Sequence, residues 1–345
     1  MASTNIGSIT TVFILFAVFI ISLLSEIHAL AAPKKDSPDE LKTGGLPAAG
    51  LCVDGKTASY EACKIDVGQL RGGDFDGIDD KTASLIHRFL EPSATKAADK
   101  FYIQGWRWHV MSLIRDAGRL ERLAKYLSRK NDEANSPGFT ALNEAAHYVV
   151  KFNMAGLYRI ESTLFVKWLR DHLCNTQILE PFAGENSAHL SNAFKSAINK
   201  VDKYRIISEK TGNDLYERAN RASNESTNPE QRKILLHEIS QLSTKLSKQL
   251  NVLRNLQESL IVPSVARIVP SGEQKSFNNR VLLKLGLLES RVHLVGMHDA
   301  VWESGLEEEK EMFESDIPYV ARMMIERWRK SLYLPKAAAL DYGLD

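Results

Sequence analysis

The chain has 345 residues, of which 44% are hydrophobic, and its 44 Lys and Arg residues nearly balance its 43 Asp and Glu residues. A chain of this length and apolar content can bury a large core, which excludes a mainly disordered protein. The formal net charge of +1 creates no overall field that would recruit nucleic acid or an acidic partner. We therefore predict no nucleic-acid partner.

An apolar run near the N-terminus, residues 10–24 (TTVFILFAVFIISLL), is followed by small residues at Ala29, Ala31 and Ala32. This order is typical of a cleaved signal peptide over residues 1–32, while the length of the run also permits an uncleaved N-terminal anchor. Both interpretations send the chain into the secretory pathway, as an extracellular, luminal or membrane-anchored protein. Where the host has a plastid that is reached through this pathway, the plastid is a second destination.

Two other features are typical of a luminal or extracellular protein. Cys52 and Cys63 are close in sequence, so a small-loop disulfide between them is feasible and Cys174 would stay unpaired. Asn224 begins an N-glycosylation sequon, Asn-Glu-Ser, in a polar break between helical patterns.

Residues 33–80 lack a regular hydrophobic period. Residues 33–50 mix Pro, Gly and charge, which predicts a linker, and the part after it is rich in turn residues. The acidic stretch 74–80 (DFDGIDD) lacks the ordered acidic positions and the closing Glu of a calcium-binding loop. We predict a surface loop that ends in a helix cap at Asp80.

From residue 81 onward apolar residues recur at three- and four-residue intervals, which predicts an almost entirely helical chain. Four long helices are predicted, at 94–129, at 140–174, at 187–220, and along a leucine stripe that ends at Pro263. Because their connections are short, these helices predict an all-α fold, an up-down-up-down four-helix bundle over residues 81–270.

The remaining residues, 271–345, predict a helical C-terminal extension. Helices are predicted at 277–302 and at 317–334, with an acidic stretch at 307–314 between them. Residues 322–334 (RMMIERWRKSLYL) interleave basic and apolar side chains, a pattern that suits an anionic membrane surface or a protein partner. The same pattern also suits an apolar face that docks on the bundle with its basic side chains in water. The run at 10–24 is the second candidate for membrane association.

Two of the predicted helices end in nearly the same short sequence motif, called a phrase below, in which a Glu-Ser pair precedes a short apolar run. The phrases are residues 156–166 (GLYRIESTLFV) and residues 253–263 (LRNLQESLIVP). They resemble the ends of helices two and four in the hemerythrin-like (HHE cation-binding) family. In that family a His and a Glu four residues later point into a four-helix bundle and hold a di-iron centre. The resemblance implies a hemerythrin-like bundle, with Glu161 and Glu258 as the metal-facing glutamates.

The resemblance also implies a set of candidate metal ligands, one from each long helix, namely His109, Glu161, His189 and Glu258. Imidazole and bridging carboxylate groups are ligands that ferrous iron prefers. The chain departs from the family pattern one turn before each glutamate, where Leu157 and Arg254 replace the expected histidines. Leucine cannot bind a metal, and a guanidinium brings a fixed positive charge to the place of a cation.

These matches and departures imply two main alternative functions; a third alternative is a small apolar ligand held between the helices, because a bundle core without metal can leave a cavity. The first is a metal-free binding or structural module, in which Arg254 neutralises the carboxylates through charge-assisted hydrogen bonds and replaces the charge of the metal. The second is a non-haem iron-binding protein that handles oxygen or iron through a rebuilt His/Glu centre. One polar pocket shared by the four candidate ligands would favour iron, whereas Arg254 paired into that pocket would favour the metal-free module.

Signatures of the common enzyme classes are missing from the sequence. It has no Gly-rich phosphate loop, no Gly-x-Ser-x-Gly elbow and no His-Glu-x-x-His zinc helix. Their absence removes the easily recognised enzyme classes but does not exclude an enzyme; we favour a non-enzymatic protein, and iron is the only candidate cofactor. The C-terminal extension is its candidate surface for a protein partner.

Overall fold

The computed structural model describes residues 79–90, 100–130, 137–224 and 226–343. Within these ranges the chain is all-helical and contains no strand, which confirms the all-α prediction. The predicted signal peptide or anchor, the linker and the pair Cys52 and Cys63 lie outside the described residues and stay predictions. No helix in the described part of the chain is long and apolar enough to cross a membrane.

The helices are numbered here in chain order. The first six are α1 (Asp80–Leu90), α2 (Gln104–Arg129), α3 (continuous over residues 137–173), α4 (Thr176–Ala183), α5 (Ser187–Ala222) and α6 (continuous over residues 229–268). The C-terminal extension follows with α7 (Ser271–Leu285), α8 (Leu287–Glu303), α9 (Glu307–Asp316) and α10 (continuous over residues 319–337).

Three of these helices contain π-helical turns, in which the hydrogen-bond ring is one residue wider than in an α-helix. They are Tyr148–Met154 and Glu161–Phe165 in α3, Gln257–Ile261 in α6 and Arg329–Tyr333 in α10. Single π turns are rare in proteins, and those that occur are often found at functional sites. Both Glu-Ser phrases coincide with such turns, because Glu161 opens one and Glu258 lies in another.

The four long helices pack against one another and enclose most of the core. Helix α2 lies against α3 and α6, and α5 lies against the same two helices from the other side. Large apolar side chains from all four are excluded from solvent, among them Leu120, Leu169, Phe194 and Leu250. This burial of apolar area is the main stabilising contribution to the fold.

The C-terminal extension covers α2. Helix α8 lies along α2 and carries α9 and α10 on its other sides. The turn Ala338–Asp341 then returns to α2 and the start of α3, where Asp341 pairs with Arg119. Within residues 322–334, Ile325, Trp328 and Tyr333 are buried, so much of the apolar face of this segment is used inside the protein.

Helix α2 begins at Gln104, ten residues later than the sequence predicts, and residues 100–103 are not helical. Two side chains of α7 hold this segment instead. The Tyr102 backbone N–H donates to Gln274 Oε1 at 2.8 Å, and Asn278 Nδ2 donates to the Tyr102 carbonyl at 2.7 Å. Because the backbone finds partners on a distant helix, helical hydrogen bonds are not required here.

Two further predictions of helix ends are wrong. Helix α6 passes through Pro263, which stands in the first turn of the segment Val262–Ile268 directly after a π turn. Proline is tolerated at such a position because its missing N–H is dispensable where the hydrogen-bond register changes. The predicted helix at 277–302 is two helices, since Gly286 has a φ of 76° that strongly favours glycine.

The predicted capping residue of helix α1 is also wrong, by one residue. Its capping residue is Asp79 and not Asp80, because the Thr82 backbone N–H donates to Asp79 Oδ1 at 2.9 Å and the Thr82 hydroxyl donates to Asp79 Oδ2 at 2.7 Å. Helix α1 packs on α5 and α6, and the guanidinium of Arg267 donates to the carbonyl of Phe89 near its end.

Leu250→Ala is expected to lower the free energy of unfolding by about 2–5 kcal/mol, because this fully buried side chain of α6 would leave a cavity among four helices. Ile234→Ala on the same helix is the matched control, since Ile234 is largely exposed and its loss should cost less than about 0.5 kcal/mol. Denaturant unfolding of both variants measures the difference. Equal losses would contradict the position of α6 in the core.

Candidate functional site

Glu161 lies in the interior at the place where α2, α3 and α6 meet. Its Oε1 accepts hydrogen bonds from Trp106 Nε1 at 2.7 Å and from Gln257 Nε2 at 3.2 Å. The residue is 1% exposed, and its Oε2 has no hydrogen-bond partner among the described residues. Burial raises the pKa of Glu161 to about 7, and the two hydrogen bonds oppose that shift because they stabilise the ionised form.

Glu258 lies one turn after Arg254 and is part of a chain of alternating charges. Its Oε1 accepts from Arg254 Nε at 2.9 Å and from Arg107 Nη2 at 3.3 Å. Arg107 also donates to Glu309 Oε1 of α9 at 2.6 Å, and Glu309 Oε2 accepts from Trp108 Nε1 at 2.9 Å. Two guanidinium groups therefore neutralise two carboxylates, in what we call the Glu258 ion-pair chain.

His109 lies on α2 and contacts the first π turn of α3. Its Nε2 is 2.8 Å from Asn153 Oδ1, and Asn153 Nδ2 donates to Asp116 Oδ2 at 2.8 Å. A carboxylate accepts only, so the amide nitrogen of Asn153 faces Asp116 and its oxygen faces His109. His109 Nε2 therefore carries the proton and donates it to Asn153. A nitrogen in this state has no lone pair for a metal.

A second histidine contacts this group from α8. The rings of His109 and His293 have centroids 4.3 Å apart, and His293 Nε2 is 3.3 Å from Glu289 Oε1. Burial lowers the pKa of His109 to about 3 and also lowers the pKa of His293, so both imidazoles are neutral near neutral pH. The fully buried Asp116 is balanced by Arg115, whose Nη2 lies 2.8 Å from Asp116 Oδ1.

The four candidate ligands are held in different surroundings. His189 is exposed on α5, whereas His109 bonds to Asn153, Glu161 bonds to Trp106 and Gln257, and Glu258 bonds to two arginines. Across the described ranges, no group of three or more His, Cys, Asp or Glu side chains is placed to hold a metal ion. The side chains in these positions do not fit the di-iron centre that the resemblance implies, and the four-ligand set stays a prediction.

Several residues of these groups were not indicated by the sequence pattern, namely Trp106, Arg107, Asn153, Gln257 and His293. Two local signals point to some of them. An Asn in the middle of a helix is unfavourable unless its side chain has a specific partner, which singles out Asn153. Gln257 stands next to Glu258 inside the second repeated phrase.

Comparison of the chain with protein-family models, with curated proteins and with solved structures finds no match in any of the three. Function must therefore be inferred from the contacts and charges of the described residues themselves.

Glu161→Gln is expected to raise the free energy of unfolding above about pH 7 and to change it little below about pH 4. Below the ordinary pKa of 4.5 the carboxyl is protonated in both states. As pH rises from 4.5 to about 7 the unfolded chain ionises first, so Glu161 progressively destabilises the fold, and above 7 the loss is complete. A shift of this size corresponds to about 3 kcal/mol.

Denaturant unfolding at a series of pH values measures this effect. Glu217→Gln, at an exposed position of α5, is the matched control and should leave the pH dependence of the wild type in place. If the Glu161 and Glu217 variants have the same pH profile, the buried carboxyl does not titrate as described.

Proposed function

We propose that the chain is a divergent hemerythrin-like (HHE) protein whose metal positions are occupied by protein groups, and that it serves as a binding or structural module without iron. In this proposal α2, α3, α5 and α6 form an up-down-up-down four-helix bundle. Two observations support the bundle. The four helices follow one another with short connections, and each contacts at least two of the other three.

The observation that carries the proposal is the ion pair between Arg254 and Glu258. In the family pattern a metal-binding His precedes the Glu by one turn, and here Arg254 fills that position and donates to Glu258 Oε1 at 2.9 Å. A guanidinium is always charged and forms hydrogen bonds, not coordination bonds. It therefore supplies the positive charge that the carboxylate would otherwise take from a metal ion.

In the other repeated sequence, residues 156–166, the charge of the glutamate is compensated in a different way. Leu157, one turn before Glu161, is buried and offers no ligand. No cation is among the hydrogen-bond donors to Glu161, so burial raises its pKa to about 7 and favours the protonated carboxyl. A proton thus reduces the charge at Glu161, as Arg254 does at Glu258.

One feature favours the second candidate function, iron binding through a rebuilt centre of His109, Glu161, His189 and Glu258. Glu161 Oε2 is buried and has no hydrogen-bond partner among the described residues, and a bound cation would give it one. The exposed position of His189 and the arginines on Glu258 weigh against this function.

Iron loading distinguishes the two functions. After anaerobic incubation with ferrous iron and desalting, elemental analysis of the natural chain should find far less than one iron per chain. The double variant Leu157→His, Arg254→His restores the two imidazoles of the family pattern and should retain more iron. Leu157→Gln, Arg254→Gln is the control, because it removes the same side chains and adds no imidazole.

Near-stoichiometric iron in the natural chain would overturn the metal-free module and favour the iron function. Equal iron in the His and Gln variants would count against the hemerythrin-like placement of positions 157 and 254. Far-UV circular dichroism of each variant verifies that the helices remain.

We further propose that the chain follows the secretory route, as the apolar run at 10–24 predicts. Asn224 supports this, because it is exposed in the turn between α5 and α6, where its Oδ1 accepts from the Ser226 backbone N–H at 3.0 Å and from the Ser226 hydroxyl at 2.9 Å. An acceptor Asn in an exposed turn is accessible to glycosylation.

Expression of the full chain in a eukaryotic cell should therefore give a glycosylated protein whose mass falls after treatment with an N-glycosidase. Asn224→Gln should abolish the mass change, whereas Asn220→Gln, an exposed Asn outside any sequon, should retain it. A wild-type chain without glycan would contradict luminal exposure of this turn.

A further inference from the structure

Four leucines are exposed around the turn that joins α7 to α8. Leu282 and Leu283 near the end of α7 are 51% and 61% exposed, and Leu287 and Leu288 at the start of α8 are 39% and 64% exposed. We call these four side chains the leucine corner. Single exposed leucines are common, but here four stand within residues 282–288, on both sides of one turn, and concentrations of exposed apolar side chains mark interaction sites.

The corner is held by ordered structure on both sides. The first half of α7 is anchored by Phe277, which is buried and packs on the rings of Phe165 and Trp168 with centroids 5.4 and 4.7 Å away. At the turn, the Gly286 backbone N–H donates to the Leu282 carbonyl at 3.0 Å. The leucines are therefore presented by a defined turn between two helices and not by a frayed end.

The helix that carries Leu282 and Leu283, α7, is also rich in exposed basic side chains. Helix α7 carries three exposed cations, and within the described residues none of them forms an ion pair: Lys275, Arg280 and Lys284. On α8 the nearest carboxylate is Glu289, which is already paired with Arg159 at 2.5 Å. Glu273 at the start of α7 is the remaining acidic residue of that helix, so α7 carries three cations and one carboxylate.

We infer that the leucine corner docks on an anionic lipid surface. The leucines would enter the boundary between headgroups and acyl chains, while Lys284 and Arg280 would face the lipid phosphates. Peripheral membrane binding depends on this combination of apolar area and attraction to anionic lipids. The site differs from residues 322–334, whose Ile325, Trp328 and Tyr333 are buried inside the protein.

A second copy of the chain is a weaker occupant of this surface for two reasons. The exposed parts of the four leucines amount to roughly two whole side chains, far below the about 800 Å² that each partner buries in a stable interface. A two-fold interface would also place the same basic residues of both copies close together, and like charges repel. An anionic surface removes both difficulties.

Vesicle co-sedimentation tests the inference. The protein used is residues 51–345, which include every residue that the structure describes, so that the apolar run at 10–24 cannot itself bind lipid. We expect binding to phosphatidylcholine vesicles that contain roughly one third phosphatidylserine, and weaker binding to phosphatidylcholine alone or at high salt. Leu283→Glu, Leu288→Glu should lower the partition coefficient at least about tenfold.

The matched control is Ile206→Glu, Ile234→Glu, which adds the same two charges at apolar positions of similar exposure, 53% and 60%, on α5 and α6. It should bind vesicles like the wild type. Circular dichroism verifies that both variants are folded.

The inference is overturned if the wild type does not bind anionic vesicles, or if the two variants bind equally well. It is also overturned if the wild type and the Ile206, Ile234 control form a concentration-dependent dimer and the Leu283, Leu288 variant is monomeric. A second copy of the chain would then be the occupant of the leucine corner. None of these outcomes depends on whether the protein holds iron.

Discussion

The structure depends on the partners that the buried polar side chains of α2 find on other helices. Along this one helix Trp106 donates to α3, Arg107 pairs with α6 and α9, and His109 donates to α3. Farther along, Asp116 accepts from α3. Burying such groups without partners would cost more free energy than most single apolar contacts contribute. The positions of α3, α6 and α9 around α2 are therefore fixed by directional bonds as well as by apolar packing.

The π turns determine which side chains of α3 and α6 can meet these partners. A π turn inserts one extra residue into a helix and rotates the side chains beyond it relative to those before it. Asn153 lies in the first π turn of α3, Glu161 opens the second, and Gln257 and Glu258 lie in that of α6. Asn153, Glu161 and Glu258 each contact a side chain of α2. Gln257 donates to the Glu161 carboxyl, which also accepts from Trp106 of α2. The wider turns and the polar contacts thus occur together.

The sequence predicts the helices well because the apolar periodicity of a helix is visible within a few consecutive residues. The period of apolar side chains gives α3 and α5 nearly as they are. It fails where a distant residue decides the backbone, as at Tyr102, which is held by Gln274 and Asn278. The contacts of the titratable side chains show the same division between local and distant causes. The exchange of His for Arg254 predicts an ion pair with Glu258, one turn away, whereas the pairing of His109 with His293 joins residues too far apart for any local pattern to reveal.

Metal content and the titration of Glu161 are two aspects of one balance of charge. A cation beside a carboxylate favours its ionised form and lowers its pKa, whereas burial without a cation raises it. The pKa of Glu161 is therefore raised to about 7 because this buried carboxyl has hydrogen-bond donors but no positively charged neighbour in direct contact. At Glu258, by contrast, two guanidinium groups donate to the same carboxylate oxygen and supply positive charge. If iron bound between these glutamates, Glu161 would stay ionised across the neutral range and its destabilising effect between pH 4.5 and 7 would disappear. The pH dependence of unfolding therefore tests the metal-free interior without any measurement of metal.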